Sequence, residues 1–100
     1  MTYSTEFLLK ARLELSEAWE WYEDKQPGLG DKFKQQVYNF VRIIEQEPTR
    51  YPERRRNYLE GRAKIFPYMV IYRIHKRRKI IAIASVFHIR RNPGKKYKRI

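Results

Sequence analysis

The 100-residue chain contains no cysteine, so neither a disulfide nor a thiolate metal site can form. It also lacks any stretch rich in glycine, serine or proline that could serve as an interdomain linker. Its longest uncharged apolar run, Ile80 to Ile89, is about half the length that a membrane span needs. We therefore expect one domain over residues 1–100, in a soluble protein of the cytoplasm.

Acidic residues are scarce in the second half of the chain. Residues 51–100 contain sixteen Lys/Arg but only two Asp/Glu, Glu53 and Glu60, whereas residues 1–50 contain seven Lys/Arg and nine Asp/Glu. This asymmetry predicts one cationic face, which is typical of proteins that meet polyanions or acidic proteins. The alternative is that the basic residues only make the surface soluble, but a random arrangement seldom leaves so few acids in fifty residues.

Two amphipathic helices are predicted in the first half. From Leu8 to Tyr22 apolar residues recur at three- and four-residue steps, until Pro27-Gly28 stops the helix. A second stripe starts at Leu29, and its helix ends before Pro48. The short connection predicts an antiparallel helix hairpin. The positions expected to be buried in it are Leu15, Ala18, Tyr22, Phe33, Val37, Phe40 and Ile44.

A β-hairpin is predicted at the centre of the second half. Runs of β-branched and aromatic residues, Tyr68 to His75 and Lys79 to His88, flank a basic turn at Lys76 to Arg78. Both runs are apolar at consecutive positions, which is typical of strands covered on both faces. Ile71, Ile81 and Ile83 are therefore expected beneath the helices.

The remaining segments complete the prediction. Residues 57–66 read as a further strand, residues 48–58 as a loop, and Tyr3 to Phe7 as an edge strand. The basic tail from Gly94 to Ile100 is expected to fray. Trp21 falls off the first helical stripe. We expect it to pack under a loop, because large aromatic side chains are mostly buried, and the alternative is that it is exposed for a partner. The predicted fold is α+β, with an N-terminal antiparallel helix hairpin packed on a small antiparallel β-sheet.

Cations in and beside the strands are candidates for contact with phosphate. Arg62 is the strongest of them, because a charge inside a strand lacks an obvious structural reason. Arg62, Arg73 and Arg91 could hold a phosphate bidentately, and Lys64 could add a point charge. His88 could act as a general acid or base, although a structural hydrogen-bonding role is the more usual one for a histidine at a strand end. Arg54, Arg55 and Arg56 are further candidates for binding a nucleic acid or another target.

Strand alternation limits which of these residues can form one site. Tyr72 lies on the opposite face of its strand from Arg73, so both cannot line one cleft without a bulge. We expect Tyr72 in the core, although it could instead stack a base. Together an acid, a base and cations would suffice for RNA cleavage without a metal, in which the 2′-hydroxyl attacks its own phosphate.

A set of motifs resembles the RelE/ParE superfamily, the toxins of type II toxin–antitoxin modules, in the branch called plasmid stabilisation proteins. The residues that carry the resemblance are Glu17-Ala18-Trp19-Glu20-Trp21-Tyr22, Pro27 to Phe33, Arg62, Phe66-Pro67-Tyr68, Tyr72-Arg73 and His88 to Pro93. The resemblance implies a concave sheet face opposite the helices. It also implies a small cognate antitoxin, with an acidic segment that wraps the toxin and neutralises it.

The resemblance leaves two targets open, because RelE-like members cut mRNA on the ribosome and ParE-like members inhibit DNA gyrase. We expect a toxin that inhibits growth by metal-independent mRNA cleavage or by interference with translation. Its catalytic candidates are Arg62, His88 and Arg91, and no cofactor or metal is expected. The alternatives are a non-catalytic inhibitor of gyrase and a non-toxic basic RNA-binding domain.

Overall fold

The computed structural model describes residues 3–63, 65–90 and 95–100. In chain order the elements are β1 (Ser4–Phe7), α1 (Leu9–Lys25), α2 (Leu29–Gln46), β2 (Glu53–Arg55), β3 (Tyr58–Arg62), β4 (Tyr68–His75) and β5 (Ile80–His88). The strands form one sheet in the order β1-β5-β4-β3-β2, and both helices pack on one side of it. The predicted α+β fold, a helix hairpin on a sheet, is confirmed. Among the described residues, neither helix is both long and apolar enough to cross a membrane.

Glu23 closes the helix hairpin. Its carboxylate accepts hydrogen bonds from the backbone N–H groups of Gly28 (3.1 Å), Gly30 (2.9 Å) and Asp31 (3.3 Å). These donors lie at the start of α2, where backbone N–H groups lack partners within the helix. Gly28 has a φ of +89°, a conformation that glycine adopts without a Cβ clash. The contacts of Glu23 and the conformation of Gly28 therefore stabilise the predicted break between the helices at Pro27-Gly28.

The sheet is mixed, and not wholly antiparallel as predicted, because its first strand is parallel to its neighbour. Ser4 to Phe7 pair with Ile80 to Ile83 of β5 in parallel, whereas β2, β3, β4 and β5 are joined by antiparallel pairing. The predicted edge strand is thus confirmed as β1. The predicted hairpin is also confirmed as β4 and β5, with Tyr68 opposite His88 and His75 opposite Ile80.

The segment predicted as a loop over residues 48–58 contains the short edge strand β2. The chain reverses at Arg56 and Asn57, whose φ values of 48° and 70° are those of a two-residue hairpin turn. Arg55 is thereby placed opposite Tyr58, and Glu53 opposite Leu59. The loop prediction was wrong here because three consecutive arginines mask the turn signal of Asn57.

The core lies between the helix hairpin and one side of the sheet, and all seven helix positions predicted for it are buried. From the sheet, Ile81 and Ile83 lie beneath the helices as predicted. Ile71 is fully buried too, but it faces the other side of the sheet, because its neighbours Val70 and Tyr72 point to the helices. Its predicted place under the helices was therefore wrong.

Trp21 is exposed to 56%, so the prediction that it packs under a loop was wrong. It lies off the buried stripe of α1, and its ring makes an edge contact with Tyr22 at 5.1 Å between centroids. The ammonium group of Lys25 lies 4.8 Å from the Trp21 ring centroid. This cation–π contact covers part of the ring without burying it.

The C-terminal segment, residues 95–100, packs against the sheet side that the helices leave uncovered. The Tyr97 hydroxyl donates a hydrogen bond to the Glu60 carboxylate, and Lys96 Nζ lies 2.7 Å from Glu60 Oε1. Lys10 Nζ on α1 donates to the carbonyl oxygen of Lys96 at 3.0 Å. The expectation of a frayed tail was therefore wrong for these residues, because a buried carboxylate on β3 supplies a partner for two of them.

Candidate functional site

The two sides of the sheet carry different kinds of residue. The helix-facing side carries apolar residues such as Leu59, Val70 and Ile83. The other side is named the outer face, and alternation places Tyr58, Glu60 and Arg62 of β3 and Met69, Ile71 and Arg73 of β4 on it. Cross-strand pairing sets Arg62 beside Met69 and Glu60 beside Ile71. The two-residue period of the strands thus places Glu60, Arg62 and Arg73, the charged residues within β3 and β4, on one face.

Arg62 is the last residue of β3 and is exposed. Its side chain is therefore open to solvent at the end of the strand. Because Arg62 is exposed, its charge within a strand needs no buried partner. The side chain is accessible to a phosphate or an acidic partner.

Arg73 is held in a defined position on the outer face. Its guanidinium carbon lies 4.1 Å from the centroid of the Tyr58 ring, and its Nη2 donates to the carbonyl oxygen of Arg56 at 3.0 Å. Cation–π contact and hydrogen bond together restrict the side-chain rotamers. Arg73 is therefore preorganised to receive an anion.

The arginines of the β2 turn surround the same region. Arg54, Arg55 and Arg56 are all exposed, and Arg55 lies opposite Tyr58, which places it on the outer face. The Arg55 guanidinium carbon is 4.9 Å from the Tyr97 ring centroid. The structure thus brings Arg55, Arg62 and Arg73 to one face.

His88 lies on the other side of the sheet. It pairs with Tyr68, whose ring belongs to the core beneath the helices and meets the imidazole edge-on at 4.9 Å. Its Nδ1 accepts a hydrogen bond from the backbone N–H of Arg90 at 3.0 Å. It lines a cleft of about 440 Å³ between α1 and the end of β5, together with Glu14, Glu17 and Trp21. His88 is therefore not brought together with Arg62 or Arg73.

The other predicted residues divide into two groups. Lys64 and Arg91 lie outside the described residues. Tyr72 lies in the core, as expected, and its hydroxyl donates to the carbonyl oxygen of Pro48 at 2.7 Å. Burial raises the pKa of Tyr72 to about 12, so it is neutral at physiological pH.

Glu60 and Tyr97 form a polar cluster on the outer face that the sequence analysis did not single out. Glu60 is buried, and it binds Tyr97 and Lys96. Burial, and then the hydrogen bond to Glu60, raise the pKa of Tyr97 above its usual value. One signal was available: Glu60 is one of two acids in the basic half and sits inside a strand, where a buried carboxylate needs partners.

No cluster of three or more histidine, cysteine or acidic side chains that could hold a metal ion occurs in the described part of the chain. The chemistry of the outer face is instead that of arginine and tyrosine. Guanidinium groups held on aromatic rings suit bidentate contact with phosphate or carboxylate groups.

Solved structures with a similar fold are toxin–antitoxin proteins. The chromosomal ParDE toxin–antitoxin system of P. aeruginosa contains a chain with a TM-score of 0.75 and 17% identity, in a match that covers 88% of this chain and 97% of that one. The RelBE2 complex of Mycobacterium tuberculosis gives 0.64 and 24%, covering 88% and 99%. The intact E. coli RelBE complex gives 0.67 and 15%, covering 85% and 94%. At these identities the likeness concerns the fold.

Sequence comparison gives the family. No curated protein sequence matches the chain significantly. The family model described as the ParE toxin of the type II toxin–antitoxin system parDE matches residues 6–93, from β1 to beyond the end of β5. The match thus includes both helices, the outer face and the cleft at His88. The chain belongs to the ParE family of type II toxin–antitoxin toxins.

Proposed function

We propose that this toxin arrests growth by binding a macromolecular target without cutting RNA, and that the target is DNA gyrase. The observation that carries the proposal is the placement of Arg62 and Arg73 on the outer face and of His88 on the helix-facing side. A general acid or base must come within about 2.6–3.2 Å of the group whose proton it moves. Rotation of a side chain does not carry it through a hydrogen-bonded sheet, so these residues do not converge on one phosphate.

The family match supports gyrase as the target. ParE-like members of the superfamily inhibit gyrase, and the matching model is that of the ParE toxin. Inhibition by binding needs a complementary surface and no proton transfer. Arg55, Arg62 and Arg73 present such a surface, with two of the guanidinium groups held on tyrosine rings. RNA cleavage by Arg62, His88 and Arg91 stays a prediction, to be tested beside the proposal.

A cognate antitoxin is the second proposed partner. The solved structures of similar fold include complexes of toxins with their antitoxins. The chain carries a formal charge of +12, and Arg55, Arg62 and Arg73 lie on the outer face. An acidic antitoxin segment would complement this face, and the complementarity would speed encounter as well as hold the complex.

The test compares the wild type with Arg62→Ala, His88→Ala and Arg42→Ala after induction in one bacterial host. Arg42 is an exposed cation of α2, away from the outer face, and serves as the matched charge control. Plasmid supercoiling and the 5′ ends of translated messages are measured in the same cells. In the wild type we expect altered plasmid supercoiling and intact messages. The change in supercoiling should be smaller in Arg62→Ala and the same as in the wild type in His88→Ala and Arg42→Ala.

The opposite pattern would overturn the proposal. In that pattern the wild type cuts messages and leaves supercoiling normal. His88→Ala then slows the cleavage by a factor of about 10²–10⁴, the usual contribution of a general acid or base. Supercoiling by purified gyrase, with and without the purified toxin, separates direct inhibition from secondary effects in the cell.

A further inference from the structure

We propose that a small basic cavity on the outer face binds a phosphate group. The cavity has a volume of about 110 Å³ and lies at the end of β4 that is distant from Arg62. Its charged and aromatic lining residues are Glu6, Tyr58, Arg73, His75 and Arg78, and the small side chains Ala82 and Ala84 form part of its wall. One water molecule takes about 30 Å³ in the liquid, so the cavity has room for one phosphate-sized group.

Arg73 supplies the first and best-fixed donor. The Tyr58 ring and the carbonyl oxygen of Arg56 hold its guanidinium group. Its Nε–H is buried and has no hydrogen-bond acceptor among the described residues. Buried donors without an acceptor are rare in folded proteins, and each calls for an explanation such as a bound ion. Because the Nε–H is covered by protein atoms, a phosphate in the adjacent cavity would become its acceptor after a small shift of the side chain.

Two further cationic or donor side chains approach the cavity from the end of the β4–β5 hairpin. His75 is the last residue of β4, and Arg78 belongs to the exposed turn that follows. An imidazole can donate through a ring N–H in either protonation state, and arginine binds phosphate through paired N–H groups. Donors from three residues match the several oxygens of a phosphate better than the two coplanar oxygens of a carboxylate.

Glu6 opposes the charge of the cavity and gives the proposal a distinctive test. It is an exposed residue of β1, and its carboxylate is the negative charge among the described lining residues. Removal of this charge should strengthen the binding of an anion. A residue whose role is only structural would not produce that result, so Glu6→Gln and Arg73→Lys should change affinity in opposite directions.

The site does not depend on gyrase being the target, since it concerns the binding of one anionic group. Its phosphate could be carried by a free mononucleotide or lie within a nucleic-acid backbone. Both sources present the same phosphate oxygens to the cavity. The choice of probe separates them.

The experiment titrates the full-length protein with inorganic phosphate at constant low ionic strength and follows the backbone amide resonances of His75 and Ala82, which line the cavity, by NMR. We expect a saturable shift with phosphate and none with acetate. Arg73→Lys keeps the charge but loses the Nε–H, and should weaken binding by about tenfold. Arg78→Ala lies in an exposed turn, so it should weaken binding without affecting the fold, while Glu6→Gln should tighten it.

Two further probes identify the source of the phosphate. A mononucleotide that binds more tightly than inorganic phosphate assigns the site to a terminal phosphate. A single-stranded oligonucleotide that shifts the same backbone amide resonances assigns it to a backbone phosphate. Arg42→Ala should bind every probe as the wild type does. The proposal is overturned if none of the probes gives a saturable shift, or if Arg73→Lys and Arg78→Ala both bind as the wild type does.

Discussion

Glu14 on α1 and Ser85 on β5 are joined by a hydrogen bond of 2.7 Å from the serine hydroxyl to the glutamate carboxylate. The same carboxylate oxygen accepts the backbone N–H of Val86 at 3.0 Å. The pairing of β5 with β1 ends at Ile83, so Val86 lies beyond the edge strand. Glu14 therefore takes the place of a neighbouring strand and ties the helix hairpin to the sheet.

Replacement of Glu14 by alanine should lower the free energy of unfolding by about 1–3 kcal/mol, because a part-buried hydroxyl and an N–H lose their acceptor. Glu14→Gln retains a carbonyl oxygen and should lose less. Urea denaturation measures both. Glu17→Ala, an exposed change one turn along α1, is the control. Equal midpoints for Glu14→Ala and Glu17→Ala would contradict the role assigned to Glu14.

Truncation of Phe40 to alanine should cost about 3–5 kcal/mol, as for a buried phenylalanine in general. The Phe40 ring is exposed to only 5% and stacks on Tyr51 at 4.9 Å between centroids. Gly61 lies beneath both rings, and a Cβ atom there would lie 2.7 Å from Cγ of Tyr51. Ile43→Ala, on the exposed side of the same helix, should cost much less in the same denaturation experiment.

Tyr72 should make stability fall at alkaline pH. Burial raises its pKa to about 12, whereas tyrosine in an unfolded chain has a pKa of about 10. The folded chain holds the proton more tightly, so this contribution is fully present below pH 10. It is lost as the pH rises towards 12, by about 2–3 kcal/mol in all.

Tyr72→Phe should cost about 1 kcal/mol at pH 7, through loss of the hydrogen bond to Pro48, yet flatten the decline above pH 10. The decline should not vanish, because burial also raises the pKa of Tyr22 and of Tyr97. Denaturation midpoints from pH 8 to pH 12 give the comparison. Parallel curves for the wild type and the variant would refute the assignment.

Replacement of Arg54, Arg55 and Arg56 by alanine should reduce the salt dependence of binding to single-stranded RNA. Each phosphate neutralised contributes about 0.7 to the slope of log affinity against log salt concentration, so the loss is at most about 2. The control replaces three exposed cations of α2, Lys32, Lys34 and Arg42. If both triple variants change the slope equally, Arg54, Arg55 and Arg56 contribute no more to polyanion binding than other exposed cations do.

Much of this fold follows from periodicity. The stripes of α1 and α2 and the apolar runs of β4 and β5 mark which residues are buried, because a helix and a strand repeat their faces every 3.6 and 2 residues. Ile71 shows the limit of that reasoning. Its run is apolar at consecutive positions, so both faces read alike, and only the packing of Val70 and Tyr72 under the helices decides which way Ile71 points.

The candidate site likewise depends partly on local sequence patterns and partly on tertiary contacts. The chain by itself determined the helix hairpin on a sheet, the basic second half and the likeness to a toxin family, since all three follow from local patterns of residue type. Only the tertiary structure decided that Arg62 and Arg73 share a face, that His88 lies across the sheet from them, and that Tyr97 returns to Glu60. Register between strands and the docking of the C-terminal segment depend on contacts between residues distant in the chain, which local patterns do not encode.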